Sequence, residues 1–356
     1  MGRMGSLRLF LALCVAFGHF GMPLGFPTSD IAVQSFFVIS GFYMALVLNE
    51  KYGPGSYWLF ISNRLLRLWP TYLVILIPSF VVASNWSPVL SLDLASITYY
   101  LVSQIFIVGQ ETYFYLFTNH GTLGLTLHPG TMPNLLYKLA PVPQAWTLAL
   151  EFYFYLLAPF IVRRGPVFIG GVIAASVLLR MTLLSMFGLG GDPWTSRFFP
   201  SELALFLTGS LCYYAYAPRS DTQRRQAYVM LSTAAVLLPV CLAISSWDGV
   251  SRLASLALLC TVILTVPYLF KLTRNLAWDR YLGELSYPLY ICHFLIGWMV
   301  LPETTSGAYI SVILSLALST QLYRWVERPI DRWRQSRFGN APRSIEGGGL
   351  MPAISR

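Results

Sequence analysis

Apolar runs of 17 to 22 residues recur from near the amino terminus of this 356-residue chain to residue 325, and they decide its solvent. At 1.5 Å per helical residue, each run covers a hydrocarbon core of roughly 30 Å. Only a helix or a closed barrel satisfies its backbone there, and runs of this length are helical. Pro, Gly and charge bound them, which predicts helices at 6–22, 31–49, 66–84, 145–162, 166–187, 200–216, 226–246, 253–270, 285–301 and 307–325. Charged residues make up 11% of the chain, against about a quarter in soluble domains, so a water-soluble fold is excluded. The expected fold class is an all-α integral membrane protein, a bundle of about ten transmembrane helices.

Charge sets the expected topology. Segment 94–109 is apolar but short, with Asp93 at its entry and Gln104 inside it. If it lies outside or re-enters without crossing, and both termini are cytoplasmic, nearly every Lys and Arg falls on the inner side. The exceptions among the 24 are Lys138, Arg197 and Arg252 outside and Arg180 within a helix. A crossing there would instead turn the Arg163/Arg164, Arg219 to Arg225 and C-terminal clusters outward, against the positive-inside rule. The same rule accounts for the net charge of +9, so no nucleic-acid partner is expected; the partner surface is the lipid bilayer.

Residues 1–335 read as one membrane domain, and 336–356, rich in Gly and poor in apolar residues, as a disordered cytoplasmic tail. The first run contains Arg8 and His19 and has no small-residue cleavage site, so it reads as a retained helix rather than a signal peptide. Cys14, Cys212, Cys241, Cys260 and Cys292 are widely separated in apolar segments, a pattern of packing residues rather than of disulfides or metal ligands. Loop 110–144, the one long connection, mixes aromatic residues with His120 and His128; it reads as a roof over a cleft or as a plain connector.

Ionisable side chains inside membrane helices cost several kcal/mol and mark function by default. Arg8 and His19 are eleven residues apart, which places them about 20° apart around one helix and ~16 Å apart along it. The bland alternative is that Arg8 snorkels to the interface and His19 caps the helix. Glu151 is expected at about the depth of His19. Arg180 and Glu202 are placed in the outer halves of neighbouring helices, where they pair or line a pathway, and His293, midway along the ninth helix, reads as a hydrogen-bonded core histidine or as a residue lining the donor path. Ser40-Gly41 reads as small-residue packing.

Arg8 and His19 in RLFLALCVAFGH, FFVISGFYMA (36–45), RLLR (64–67), WTLALEFYFYLLAP (146–159), LGELSYPLYICH (282–293) and VERP (326–329) stand in collinear order. Together they resemble acyltransferase family 3, the membrane-bound bacterial carbohydrate O-acyltransferases, with Thr147 where the family usually has Ser. The resemblance implies acyl-CoA, most simply acetyl-CoA, as cytosolic donor with no permanently bound cofactor. It also implies activity that depends on Arg8, His19, Arg64 and Arg67. Arginines suit such a donor because guanidinium groups grip phosphates bidentately. His19 would serve as general base for a sugar hydroxyl, with Glu151 orienting its ring. By their place in the helices, and apart from the resemblance, Arg180, Glu202 and His293 are candidates to line the pathway.

The expected function is therefore O-acyl transfer to a surface or secreted carbohydrate, or its lipid-linked precursor, at the bacterial inner membrane. A non-enzymatic transporter or flippase of lipid-linked saccharides is the rival, though no matched inverted halves are evident. A polysaccharide polymerase or ligase would carry a large basic outer loop, whereas loop 110–144 has only Lys138. No attached extracytoplasmic domain is expected. A tag inserted beside Gly121 should be labelled from outside the cell; cytoplasmic labelling would overturn the topology.

Overall fold

The structure, a computed structural model, describes residues 4–22, 29–83, 86–245, 250–301 and 304–339. Its helices follow the apolar runs: α1 (Gly5–His19), α2 (Ser29–Glu50), α3 (Tyr57–Val82), a single turn α4 (Ser87–Leu90), α5 (Leu94–Phe106), α6 (Trp146–Ile161), α7 (Pro166–Phe187), α8 (Phe199–Tyr216), α9 (Asp221–Ser245), α10 (Val250–Thr273), α11 (Ala277–Val300), α12 (Thr305–Leu322) and α13 (Arg328–Gly339). Six helical segments among the described residues are long and apolar enough to cross a bilayer, and α1 and α5 are shorter apolar helices. The expected helical membrane architecture is met at this level. Among the described residues one element is not helical: β1 (Leu116–Asn119) and β2 (Thr122–Leu125) form an antiparallel hairpin in the long loop, pairing Leu116 with Leu125 and Asn119 with Thr122.

Position in the bundle follows from how much apolar surface each helix hides. The most apolar stretch of α2 is 94% buried, so α2 runs through the centre; that of α7 is 22% buried, so α7 lies at the rim. Side chains such as Ile77, Leu178, Met186 and Ile313 stay exposed around the outside. Bare apolar surface on this scale belongs against lipid. Inside, α2 packs on α8 at backbone contact: a Cβ on Gly41 would sit 1.7 Å from the Phe206 carbonyl oxygen, and one on Gly209 1.8 Å from that of Val38. Gly41 is thus the small-residue contact expected of Ser40-Gly41.

Helix α1 is held by α11. Asp279, fully buried, accepts hydrogen bonds from the Gly5 N–H (2.8 Å), the Ser6 N–H (2.9 Å) and the Ser6 hydroxyl (2.8 Å), while the Met4 N–H donates to Thr273 Oγ1 (2.9 Å). A carboxylate at a helix N-terminus satisfies otherwise orphaned N–H groups and complements the helix dipole. Several other helix ends meet on the same side. Arg163 donates to the Leu48 and Tyr52 carbonyls, Arg219 to Asn49 and Arg274 to Tyr216.

Helix α5 is fixed at both ends by hydrogen bonds to the hairpin and to α3. Asp93 caps α5 by accepting from the Ser96 N–H at 2.8 Å, and its own N–H donates to the Gly121 carbonyl in the hairpin turn. The far end of α5 stops beside the middle of α3, where Tyr72 and Trp69 donate to the Gln104 and Ile105 carbonyls at 2.6 and 2.7 Å. From there the chain returns to the hairpin.

At the carboxy-terminal end, α12 does not stop at 325. It passes through a π-helical turn, Tyr323–Glu327, into α13, which docks on the start of α3 through Arg334 to the Asn63 carbonyl (3.3 Å) and Arg337 to Ser62 Oγ (3.0 Å). Residues 336–339, expected in the tail, belong to α13; the rest of that tail, with Arg3, Arg343, Arg356 and the Arg252 side chain, lies outside the described residues.

Candidate active site

Three cavities among the described residues lie in file. The first, about 560 Å3, opens beside α13 and is ringed by charge from Lys51, Arg280, Glu284, Arg328, Asp331 and Arg332. Tyr43 is shared with the second, about 100 Å3, which gathers Arg8 from α1, Ser40 from α2, Arg64 and Arg67 from α3, and Glu151 from α6. Val33 and Tyr290 are shared with the third, about 160 Å3, lined by His19, Asp30, Phe114, Gln144, Trp146 and Arg197. Arg8 and His19 therefore do not share a chamber: each lines one of two cavities that abut at Val33 and Tyr290.

Helical spacing explains the arginine chamber. Arg64 and Arg67, three apart, project from one face of α3. Arg64 is 3% exposed and lies with its guanidinium 5.8 Å from the Phe60 ring centre. Arg67 ion-pairs with Glu284 at 3.6 Å and also has Glu327 and Asp331 as attractive neighbours. Glu327 is brought inward by the π turn, where Thr71 Oγ1 donates to it at 3.4 Å. Glu284 and Glu327 belong to the quoted LGELSYPLYICH and VERP blocks, but the sequence does not mark them as partners of an arginine 217 and 260 positions away.

Glu151 is placed differently from expectation. It accepts from Ser40 Oγ at 2.6 Å and from the Tyr155 hydroxyl at 2.5 Å, on the arginine side of the divide, and makes no contact with His19. Two groups that sequence reasoning passed over thus enter the site. Tyr155 carries a signal in the sequence, its i+4 spacing from Glu151; Ser40, next to Gly41, carries only that of small-residue packing.

The place beside His19 belongs to His293. His19 Nδ1 lies 2.9 Å from His293 Nε2, with the rings nearly parallel at 9° and centroids 5.1 Å apart. His293 is fully buried, and its Nδ1 is 2.7 Å from the Tyr290 carbonyl oxygen. It is the hydrogen-bonded core histidine of the two readings the sequence allowed: it lines none of the three cavities and backs the residue that does. Tyr290, missed in the sequence, sits at the divide, its hydroxyl 2.9 Å from Thr147 Oγ1.

The histidine chamber has aromatic walls. Phe114 stacks on Tyr137 at 4.6 Å, and the Arg197 guanidinium lies 3.9 Å from the Phe114 ring centre and 4.4 Å from that of Trp146, ion-paired with Asp192 at 3.0 Å. Gln144 donates from Nε2 to the Ile291 carbonyl at 2.8 Å, while its Oε1 is buried with no hydrogen-bond partner among the described residues. Buried acceptors of this kind are costly unless a ligand or water meets them. Arg197 sits in a loop without periodicity, which left nothing in the sequence to single it out. The loop residues Phe114 and Tyr137 roof this chamber, the first of the two readings that loop 110–144 allowed.

Over residues 3–323 the chain matches a family profile described as an acyltransferase domain. A Staphylococcus aureus (strain MRSA252) protein named "Putative O-acetyltransferase" is 22% identical over 354 residues, spanning 86% of this chain and 54% of its own length. The strain COL protein of the same name gives the same identity and coverage. An uncharacterized protein of Aquifex aeolicus (strain VF5) is 20% identical over 200 residues, 54% of this chain and 89% of that protein. The chain spans about half the length of the S. aureus relatives it matches. No solved structure matches it.

Of the two readings for Arg180 and Glu202, pairing or lining a pathway, the structure has the pair. Arg180 Nη2 donates to Glu202 Oε1 at 2.7 Å and to the Ser201 carbonyl at 3.1 Å, tying α7 to α8, and neither residue lines the three cavities. Both are under 5% exposed, so losing one partner strands a buried charge. Arg180→Met should cost about 3–5 kcal/mol of stability, read as a fall in the thermal midpoint in detergent, and the Arg180→Met/Glu202→Met double variant should recover most of it. A single variant of unchanged stability would show that the pair is not structural.

Proposed function

The chain belongs to acyltransferase family 3, and from that membership we propose that it is an O-acyltransferase moving an acyl group, most simply acetyl, from cytosolic acyl-CoA to a hydroxyl of a surface or secreted carbohydrate or its lipid-linked precursor. The same reading sets it in the bacterial inner membrane with ten crossings, α5 re-entrant, and both termini cytoplasmic. The Arg8 end then faces the donor and the His19 end the acceptor.

One observation carries the reading: the file of cavities from a charged mouth, through the arginine chamber, to the histidine chamber. Coenzyme A brings phosphates at one end and a long thin pantetheine arm at the other. Its phosphates suit Lys51, Arg280, Arg328 and Arg332 at the mouth and Arg8, Arg64 and Arg67 within. Glu284 and Glu327 keep the buried guanidinium of Arg67 compensated until an anion arrives. The thioester would reach the divide at Val33 and Tyr290.

From the other side, aromatic walls with few polar groups suit a ligand that has apolar ring faces and hydroxyls at its edges, as sugars do. Gln144 Oε1 is an acceptor awaiting a hydroxyl donor. At the divide the acceptor hydroxyl gives its proton to His19 as its oxygen attacks the thioester carbonyl. The carbon–sulfur bond breaks, and the proton passes from His19 to the departing thiolate. Ser40 and Tyr155 hold Glu151 on the donor side, where it shapes the arginine chamber rather than steering the imidazole.

In membranes given labelled acetyl-CoA and the cell's own glycan, His19→Ala should reduce transfer about 10²–10⁴-fold while the protein stays folded. Transfer at the unmodified rate would end the assignment of His19, and no acetyl transfer by the unmodified protein would favour a transporter. Arg64→Ala or Arg67→Ala should raise the KM for acetyl-CoA roughly 10- to 100-fold, the worth of a charged hydrogen bond. An unchanged dependence on donor concentration would remove these arginines from the donor site.

A further inference from the structure

A base that takes a proton from a hydroxyl must present a bare nitrogen, and which of the two imidazole nitrogens is bare depends on what the other one touches. In this structure that question has an answer running inward from His19. The Tyr290 carbonyl oxygen can only accept, so His293 Nδ1, 2.7 Å away, carries the hydrogen. A neutral imidazole has one N–H, which leaves a lone pair on His293 Nε2. Its neighbour at 2.9 Å, His19 Nδ1, must then be the donor. The lone pair of His19 accordingly sits on Nε2, for which the described residues supply no hydrogen-bond partner, on a ring that lines the aromatic chamber.

We propose that His293 is a positioning residue that fixes His19 in the tautomer protonated at Nδ1, so that Nε2 is the basic atom turned to the acceptor hydroxyl. The Tyr290 carbonyl, one helical turn before His293, sets the direction of the whole chain of hydrogen bonds. Neutral histidine in water favours the opposite tautomer, with hydrogen on Nε2, which would offer the hydroxyl a donor and block its deprotonation.

Packing makes the lock rigid. His293 is fully buried on α11, parallel to His19, with Phe20 edge-on to it at 6.1 Å and Phe294 against both rings at 4.6 and 4.7 Å. Among the described residues no carboxylate touches either ring. A neutral imidazole thus holds the position an aspartate holds in hydrolytic triads. When His19 takes the hydroxyl proton at Nε2, its Nδ1–H still donates to His293, and the proton at Nε2 goes on to the leaving sulfur.

The kinetic consequence rests on the acyl-transfer reading; the tautomer does not. With only four histidines in the chain, ¹⁵N-histidine labelling of the full protein in bilayers, assigned against His19→Gln, resolves each ring by solid-state NMR. His19 and His293 should both show hydrogen on Nδ1. In His293→Ala, His19 should shift toward hydrogen on Nε2 and kcat should fall about tenfold or more, as when partners that orient a ligand ring are lost, with the KM for acetyl-CoA little changed. His293→Gln, whose Oε1 can accept from His19, should restore the Nδ1 signal and most of kcat. If His293→Ala does not fold, the unmodified and His293→Gln spectra decide alone. Hydrogen on Nε2 of His19 in the unmodified protein, or a His19 signal unmoved by His293→Ala, would overturn the proposal. The expected tautomer without any acetyl transfer would overturn the function and leave the lock standing.

Discussion

Everything at the site depends on how α1 is clamped to α11. A fifteen-residue apolar helix has little to fix its depth or rotation, since sliding by one residue in lipid costs little and turns its polar face by 100°. Here Asp279 takes the first N–H groups of α1 at one end, and His293 meets its last residue at the other. A buried carboxylate and a buried imidazole on one neighbouring helix thus fix both coordinates. With α1 set, Arg8 falls in the arginine chamber and His19 in the aromatic one, because eleven residues nearly complete three turns.

The divide at Val33 and Tyr290 gives the file of cavities its logic. An open tube through the bundle would leak water and ions, and a solid bundle would admit no substrate. Two chambers back to back put His19 on one side and Arg8, Arg64 and Arg67 on the other, meeting at Val33 and Tyr290. The buried guanidinium groups in the inner chamber stand in low dielectric, where their charge acts most strongly on an incoming anion and where the acidic groups Glu284 and Glu327 are needed to offset desolvation. A π turn at 323–327 is what places Glu327, and such turns recur at functional sites because they re-aim a side chain without breaking the helix.

Much of this was legible in the chain. Apolar length marked the helical membrane class and most helix ends to within a few residues. The RLLR spacing and the Arg8/His19 stripe marked which guanidiniums belong together, because helical periodicity is a local property. Reasoning failed where pairing is between helices. Glu151 was assigned to His19 on depth alone, but depth does not say which way a helix faces, and its rotation points Glu151 at Ser40 and Tyr155. For Arg180 and Glu202 the sequence left pairing and a pathway role open, and only the packing of α7 on α8 decides for the pair.

What the sequence determined by itself is the solvent, the helical class, the rough boundaries and the residue types available for chemistry, since all of these follow from runs, periods and charges along one dimension. Tertiary structure alone decided which side chains meet. His19 and His293 are 274 positions apart, and only the docking of α1 on α11 sets their nitrogens at 2.9 Å. The reason is physical: hydrogen bonding is a matter of tenths of an ångström and of direction, and both are set by how rods rotate against one another, which hydropathy does not encode.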